Sequence, residues 1–164
     1  MDVESSPGQG STFRAYLPVP DEFDAELDQT GKSVLSSLNG NETILLIEDE
    51  DGLRQMLSNS LGKHGYTVLT AKDGLEAVEL FRKNAESIDL VFTDIGLPGL
   101  DGLSVINEIR TLKPRMKVLA CSGFLNPELR VSLAMQSITD FIQKPFVPDQ
   151  MLERIRNVLS GPLV

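Results

Sequence analysis

Residues 43–49, TILLIED, decide the fold, because a run of apolar side chains there ends abruptly in two acids. A continuous apolar run of this length is typical of a strand that is covered on both faces, as in a parallel sheet. The pattern returns at residues 88–94, IDLVFTD, and a further apolar strand, MKVLACSG, is predicted at residues 116–123. The acids that follow the first two of these strands therefore lie where the chain leaves a buried sheet.

Helical patterns separate these strands along the chain. Shorter strands are predicted at residues 66–71 and 140–145, and helices at residues 52–65, 74–87, 102–114, 126–137 and 147–160. Regular alternation of strand and helix is typical of a parallel sheet with helices on both sides. We therefore predict an α/β fold with a doubly wound five-stranded parallel sheet. Ligand sites in such folds lie at the carboxyl ends of the strands.

The composition narrows the class of protein. The chain has 164 residues and a net charge of −9, so non-specific binding to nucleic acid or to anionic membranes is disfavoured. Its single cysteine, Cys121, cannot form an internal disulfide, which suits a reducing compartment. We find no signal peptide and no apolar run of membrane-spanning length. We therefore expect a cytoplasmic protein that makes no membrane contact.

Polar side chains follow four of the predicted strands. The first strand is followed by Glu48 and Asp49, the third ends at Asp94, the fourth at Ser122 and the fifth at Lys144. Crowded carboxylates resist full ionisation, and a hard cation such as Mg²⁺ relieves this by taking oxygen ligands. A carboxylate beside Mg²⁺ can be a nucleophile towards phosphorus, while the metal and a lysine neutralise the phosphoryl oxygens. These residue types therefore suit phosphoryl transfer to an aspartate.

Four segments together resemble the signature of the response-regulator receiver domain, the phosphoacceptor module of two-component signalling. They are ILLIEDED at 44–51, DLVFTDIGLPGLDG at 89–102, VLACSGF at 118–124 and DFIQKPF at 140–146. The resemblance covers residues 41–160 and implies the flavodoxin-like (βα)5 fold with strand order 2-1-3-4-5. It also implies a role in a phosphorelay, with Mg²⁺ as cofactor and a histidine kinase or a histidine phosphotransfer protein as partner.

The resemblance also implies a role for each site residue. Asp94 corresponds to the phosphorylated aspartate and, with Glu48, Asp49 and the backbone carbonyl of Gly96, to the metal site. A larger side chain is common at the position of Gly96 and influences hydrolysis of the acyl phosphate, so the phosphorylated lifetime does not follow from the resemblance. Glu50 also follows the first strand, and its alternative role is to begin the next helix.

The remaining roles concern the phosphoryl group and the conformational response. Ser122 corresponds to the hydroxyl that meets the phosphoryl group, and Lys144 to the lysine that pairs with it. Pro145 corresponds to a proline that often follows a cis peptide bond. Phe141 corresponds to the aromatic rotamer switch, and because it has no hydroxyl, its switching depends on packing alone.

Residues 3–18, VESSPGQGSTFRAYLP, resemble the closing hairpin of the ATP-binding domain of histidine kinases. We therefore predict a remnant of that domain at residues 1–20, an acidic flexible linker at 21–42 and a receiver domain at 43–160, in the order of a hybrid histidine kinase. The parent protein is then a phosphotransferase. The present chain lacks most of the ATP-binding domain, so its expected chemistry is limited to phosphorylation and dephosphorylation of its own aspartate.

Two other functions remain open at this stage. The chain could be an interaction module that keeps the fold without the chemistry, and phosphorylation of Asp94 separates the two. It could also be a Mg²⁺-dependent phosphatase of similar topology. Such an enzyme usually has a second aspartate two residues after the first, where this chain has Gly96.

Overall fold

The computed structural model describes residues 2–14, 16, 38–124, 126–136, 138 and 140–161. The chain divides into two compact units, residues 1–31 and residues 32–164. Residues 17–37, which hold most of the predicted linker, lie outside the described part of the chain. No helix within the described part is long and apolar enough to cross a lipid bilayer.

The first unit contains an antiparallel hairpin. Strand β1 spans Asp2–Ser6 and strand β2 spans Gly10–Arg14, with Val3 directly opposite Phe13. Gly8 and Gly10 have φ of 77° and 88°, a backbone conformation that glycine adopts without a steric penalty. The residues that resemble a hairpin in the sequence therefore form one. Every residue of both strands is exposed.

The second unit is built on a five-stranded parallel sheet. Its strands are β3 (Thr43–Ile47), β4 (Thr67–Ala71), β5 (Leu90–Asp94), β6 (Lys117–Ser122) and β7 (Phe141–Gln143). The strand order is β4-β3-β5-β6-β7, and all four neighbouring pairs are parallel. Counted from β3, this is the predicted order 2-1-3-4-5.

Five helices connect and follow these strands. They are α1 (Asp51–Lys63), α2 (Gly74–Asn84), α3 (Gly102–Leu112), α4 (Pro127–Met135) and α5 (Pro148–Ser160). Three of them begin at a side chain that accepts a backbone N–H of the first turn, supplied by Asp73, Asp101 and Asn126. Asp101, inside the segment DLVFTDIGLPGLDG, thus marks the start of α3.

Two apolar clusters lie on opposite faces of the sheet. Leu45 and Ile47 of β3 pack in the cluster that contains the buried residues of α2, α3 and α4. Ile44 and Leu46 pack in the other cluster, with the buried residues of α1 and α5. Alternate side chains of one strand thus enter different cores, which explains why the strand is apolar without interruption.

Residues that precede β3 pack against the residue before β4 and against helix α5 of the same unit. Leu38 is 5% exposed, and its carbonyl accepts a hydrogen bond from the Tyr66 hydroxyl at 3.0 Å. Arg156 of α5 binds the Glu42 carboxylate through both terminal nitrogens, at 2.7 and 3.0 Å. Residues 38–42, the end of the predicted flexible linker, are therefore packed in the second unit.

Candidate functional site

Three carboxylates meet at the carboxyl ends of β3 and β5. The register pairs Ile47 with Thr93, so the residues that follow both leave the sheet at one edge. Glu48, Asp49 and Asp94 each offer an oxygen, and these oxygens lie within 4.8 Å of one another. The side chain of Glu48 is 2% exposed and that of Asp94 is 13% exposed, while Asp49 is open to solvent.

The ammonium of Lys144 joins two of these carboxylates. Its Nζ donates to Oε2 of Glu48 at 2.7 Å and to Oδ2 of Asp94 at 2.6 Å. The Lys144 backbone N–H donates to the carbonyl of Ser122 at 2.9 Å, and the peptide bond to Pro145 is cis, as the resemblance implied. The sequence placed Lys144 at this edge of the sheet, and the structure adds that it bridges both acids.

Burial and charge act in opposite directions on these groups. Burial raises the pKa of Glu48, assisted by the negative charge of Asp94, although Lys144 opposes the change. Burial alone would lower the pKa of Lys144, but its hydrogen bonds to Asp94 and Glu48 outweigh that effect and raise it. Both directions follow from two acids that share one ammonium while one of them, Glu48, is buried.

The donor set fits a hard divalent cation. Three carboxylates are the oxygen ligands that Mg²⁺ prefers, and a second cation beside Lys144 would relieve their mutual repulsion. Asp49 is the solvent-exposed acid of the three, so a cation can reach its carboxylate directly from solvent. Oδ1 of Asp94 accepts a hydrogen bond from the Gly96 N–H at 2.9 Å. Gly96 therefore lies beside Asp94, and the role of its carbonyl as a metal ligand stays a prediction.

Gly96 and Gly102 control the space around Asp94. A Cβ at Gly96 would lie 3.6 Å from Oδ1 of Asp94, so a side chain at this position would border the carboxylate. A Cβ at Gly102 would overlap the carbonyl oxygen of Asp94. The first glycine leaves the approach to the carboxylate open, and the second lets helix α3 start against the end of β5.

Ser122 and Phe141 lie at the same side of the sheet, with different surroundings. The Ser122 hydroxyl donates to the Phe124 carbonyl at 3.2 Å and accepts from the Phe124 N–H at 3.3 Å. Within the described residues, its hydrogen bonds therefore stay in its own loop and do not reach the acids. Phe141 is half-buried against the core and borders an open cleft with α5.

The predicted residues did not include Arg54, which also contacts this edge. Its guanidinium donates to the carbonyl oxygens of Glu48 and Asp49 at 2.7 and 3.3 Å. The available signal was an arginine in the first turn of a helix that directly follows the acids. A cation is unfavourable at that end of a helix, so its presence there requires a local partner.

Comparison with known proteins identifies the family. The sequence profile of the response regulator receiver domain matches residues 44–156. The chain belongs to this family. It is 32% identical over 163 residues to the sensor kinase CckA of Brucella abortus, covering 96% of this chain and 17% of that kinase. It is 32% identical over 118 residues to the chemotaxis protein CheY of Bacillus subtilis, covering 71% of this chain and 97% of that protein.

Solved structures agree with this assignment. A response regulator receiver domain from Clostridium thermocellum superposes with a TM-score of 0.68 at 29% identity, covering 72% of this chain and 94% of that one. The non-phosphorylated HemR receiver domain from Leptospira biflexa gives a TM-score of 0.68 at 31% identity, covering 74% and 96%. The second unit is therefore a receiver domain of two-component signalling.

Proposed function

We propose that this chain accepts a phosphoryl group from a phosphohistidine onto Asp94, with Mg²⁺, and so acts in a phosphorelay. The observation that supports this most directly is the position of Asp94. Its carboxylate lies within 4.8 Å of the oxygens of Glu48 and Asp49 and within 2.6 Å of the Lys144 ammonium. A nucleophile, a set of metal ligands and a cation for the phosphoryl oxygens are thus close together.

The proposed transfer needs only the Asp94 carboxylate, the phosphohistidine and a proton from water. A carboxylate oxygen of Asp94 forms a bond to phosphorus while the phosphorus–nitrogen bond of the phosphohistidine breaks. The imidazole leaves with the bonding electrons and takes up a proton from water. Lys144 already donates to Asp94, so a small movement brings its ammonium to a phosphoryl oxygen.

Glu48, Asp49, Asp94 and the Gly96 carbonyl are the proposed ligands of Mg²⁺, which supplies charge neutralisation to the transferring phosphoryl group. In the present arrangement, Lys144 neutralises part of the charge on Glu48 and Asp94. Among the described residues, the Asp49 carboxylate has no ion pair, so a metal that binds it there displaces no cation. We expect it to weaken the pair between Lys144 and Glu48 and to free the ammonium for the phosphoryl group.

The proposed response to phosphorylation begins at Ser122. In the described part of the chain, the hydrogen bonds of its hydroxyl are long, at 3.2 and 3.3 Å, and both join Phe124, two residues further on. A phosphoryl oxygen is a stronger acceptor, so the hydroxyl would exchange these contacts for the new one. The loop between β6 and α4 would move with it, and half-buried Phe141, which pairs with Ala120 of β6, would repack. A partner then reads the changed surface.

We also propose that the chain derives from a hybrid histidine kinase. The similarity to the sensor kinase CckA extends over 96% of this chain and so reaches into the hairpin, whereas the similarity to CheY covers 71%. On this view residues 1–20 come from the ATP-binding domain, 21–42 are a linker and 43–160 are the receiver. The kinase activity would belong to the parent protein, and its histidine domain or a histidine phosphotransfer protein would be the partner.

Intact-mass measurement tests the proposed chemistry. The chain is incubated with acetyl phosphate and Mg²⁺, beside an Asp94→Asn variant and a sample in which EDTA removes the metal. We expect a gain of one phosphoryl group in the wild type with Mg²⁺ and none in either control. The chain has no tryptophan, so mass replaces the usual fluorescence measurement.

The competing proposal is an interaction module without phosphorylation. It would be favoured if the folded wild type bound Mg²⁺ and gained no mass from acetyl phosphate or from a phosphorylated histidine kinase domain. A gain that persists in Asp94→Asn would place the acceptor elsewhere. Either result would contradict the proposed role of Asp94.

A further inference from the structure

We infer that Arg54 is a positioning residue for the acidic site: its guanidinium fixes the peptide units of Glu48 and Asp49 and thereby directs the Asp49 carboxylate. The inference rests on the proposed function and deepens it. Arg54 lies on the first helix and contacts none of the reacting groups, so its action passes through the backbone that carries the two acids.

The guanidinium spans the whole connection between β3 and α1. Nη1 donates to the carbonyl oxygens of Glu48 and Asp49 at 2.7 and 3.3 Å, and Nη2 pairs with the Asp51 carboxylate. The side chain of Arg54 is only 17% exposed although its helix lies at the surface. One planar group with several donors therefore holds three acceptors along four consecutive residues.

The location of this arginine is unfavourable in itself. It lies in the first turn of α1, where the helix dipole favours negative charge, and the N-cap residue Glu50 makes no capping hydrogen bond with its side chain. A largely buried guanidinium also loses hydration that hydrogen bonds must replace. The two backbone carbonyls and Asp51 supply these bonds, so the arrangement depends on this conformation of the loop.

Asp49 is the acid that needs such support. Lys144 binds the carboxylates of Glu48 and Asp94, so their directions are set by side-chain contacts. Among the residues that the structure describes, no hydrogen bond or ion pair holds the Asp49 carboxylate. The direction of the Asp49 side chain therefore depends on its backbone, and Arg54 is the side chain that binds the carbonyl of Asp49.

A positioning role and a charge effect predict opposite signs for metal affinity. Arg54 adds positive charge near a cation site, so its removal would strengthen Mg²⁺ binding if charge alone mattered. If Arg54 positions the acids, its removal weakens Mg²⁺ binding despite the favourable change in charge. Loss of a group that orients metal ligands typically lowers metal affinity about 10-fold to 100-fold.

The test compares Mg²⁺ binding by calorimetric titration of the full chain and of the variants Arg54→Met, Arg54→Lys and Arg82→Met. Arg82 is the matched control, because it is 58% exposed and its pair with Glu108, at 3.5 Å, lies between surface helices. We expect a dissociation constant about 10-fold higher for Arg54→Met, a smaller increase for Arg54→Lys and no change for Arg82→Met.

Two further measurements exclude a purely structural role. Thermal melts with EDTA show whether each variant is folded. If Arg54→Met does not fold, Mg²⁺ binding by Arg54→Lys is compared with that of the wild type instead. Phosphorylation by acetyl phosphate should need about 10-fold more Mg²⁺ for half-maximal rate in Arg54→Met, with a rate near that of the wild type at saturating Mg²⁺. Unchanged or tighter Mg²⁺ binding by a folded Arg54 variant would overturn the inference.

Failure of the inference about Arg54 can be distinguished from failure of the proposed phosphorylation. If the wild type binds Mg²⁺ but accepts no phosphoryl group, the proposed function fails while the titrations still decide whether Arg54 positions the acids. If the wild type is phosphorylated and the Arg54 variants match it in both Mg²⁺ measurements, the inference fails and the proposed function stands.

Discussion

Replacement of Lys144 by methionine should destabilise the receiver domain when no divalent cation is present. The substitution keeps an unbranched side chain that is one atom shorter and removes the ammonium that pairs with Glu48 and Asp94 at 2.7 and 2.6 Å. Glu48 is 2% exposed, so its carboxylate would remain in the protein interior without a cation beside it. A buried charge that loses its partner is among the most destabilising changes known for a single residue.

The expected loss is about 3 kcal/mol in the free energy of unfolding. Breaking a buried ion pair from one side costs about 3–5 kcal/mol, and the lower end applies because Lys144 is 21% exposed and water can reach the site. The variant can reduce the cost of the uncompensated charge by protonating Glu48, whose pKa is already raised by burial. A buried acid whose pKa is raised on folding makes the folded protein less stable as pH rises. The difference in unfolding free energy between the wild type and Lys144→Met should therefore grow from pH 5 to pH 8.

Urea unfolding followed by far-UV circular dichroism measures this loss at each pH. The matched control is Lys83→Met, because Lys83 is 72% exposed and its pair with Glu79, at 3.9 Å, should contribute less than about 0.5 kcal/mol. Mg²⁺ at about 100 times its dissociation constant adds about 2.7 kcal/mol to a protein that binds it only when folded. It should therefore restore much of the stability of Lys144→Met.

Two results would refute this reasoning. The first is a Lys144→Met variant that, with EDTA at pH 8, loses no more stability than Lys83→Met. The second is a deficit that shrinks as pH rises, which would mean that Glu48 is not the group left uncompensated. In either case the contact between Lys144 and Glu48 would not be a determinant of stability.

Three further changes test other parts of the structure. Arg156→Met should lower the free energy of unfolding by about 1–3 kcal/mol at pH 7. Because Arg156 lowers the pKa of Glu42, the stabilisation is present above the unfolded pKa of Glu42 and is lost as pH falls through its folded pKa. Urea melts should therefore show a larger difference between the variant and the wild type at pH 7 than at pH 4. Cys121 should resist a thiol reagent at pH 8 until the chain unfolds, since burial raises the pKa of its thiol, and rapid labelling of the folded chain would contradict this. Gly102→Ala should lower the melting temperature, because a Cβ there overlaps the backbone at the end of β5, whereas Gly62→Ala, with open space around its Cβ, should leave it unchanged or raise it.

The class of fold could be predicted because its signals are local. The apolar runs of β3 and β5 and the helical spacing between strands define the order of the elements, and the parallel arrangement follows from that order. The ends of helices were less accurate: α2 was predicted to reach residue 87 and ends at Asn84. Helix ends depend on which groups satisfy the last carbonyls, and the hydrophobic pattern does not report them.

The positions of the acids and of Lys144 could be predicted for the same reason. Parallel strands bring their carboxyl ends to one edge, so residues at strand ends meet there whatever their separation in the chain. Their pairing could not be predicted. Lys144 and Glu48 are 96 residues apart, and only the packed sheet shows that one ammonium reaches both Glu48 and Asp94. The same holds for the Ser122 hydroxyl, whose partners lie in its own loop.

The sequence by itself determined the alternation of strands and helices, the receiver signature and the edge at which Glu48, Asp49 and Asp94 gather, because each depends on patterns within a few residues. Tertiary structure alone decided that Lys144 reaches both Glu48 and Asp94 and that residues 38–42 pack against α5. The bond between Glu42 and Arg156 joins residues 114 positions apart. Contacts of this kind depend on how complete elements pack in three dimensions, and no local pattern in the chain encodes them.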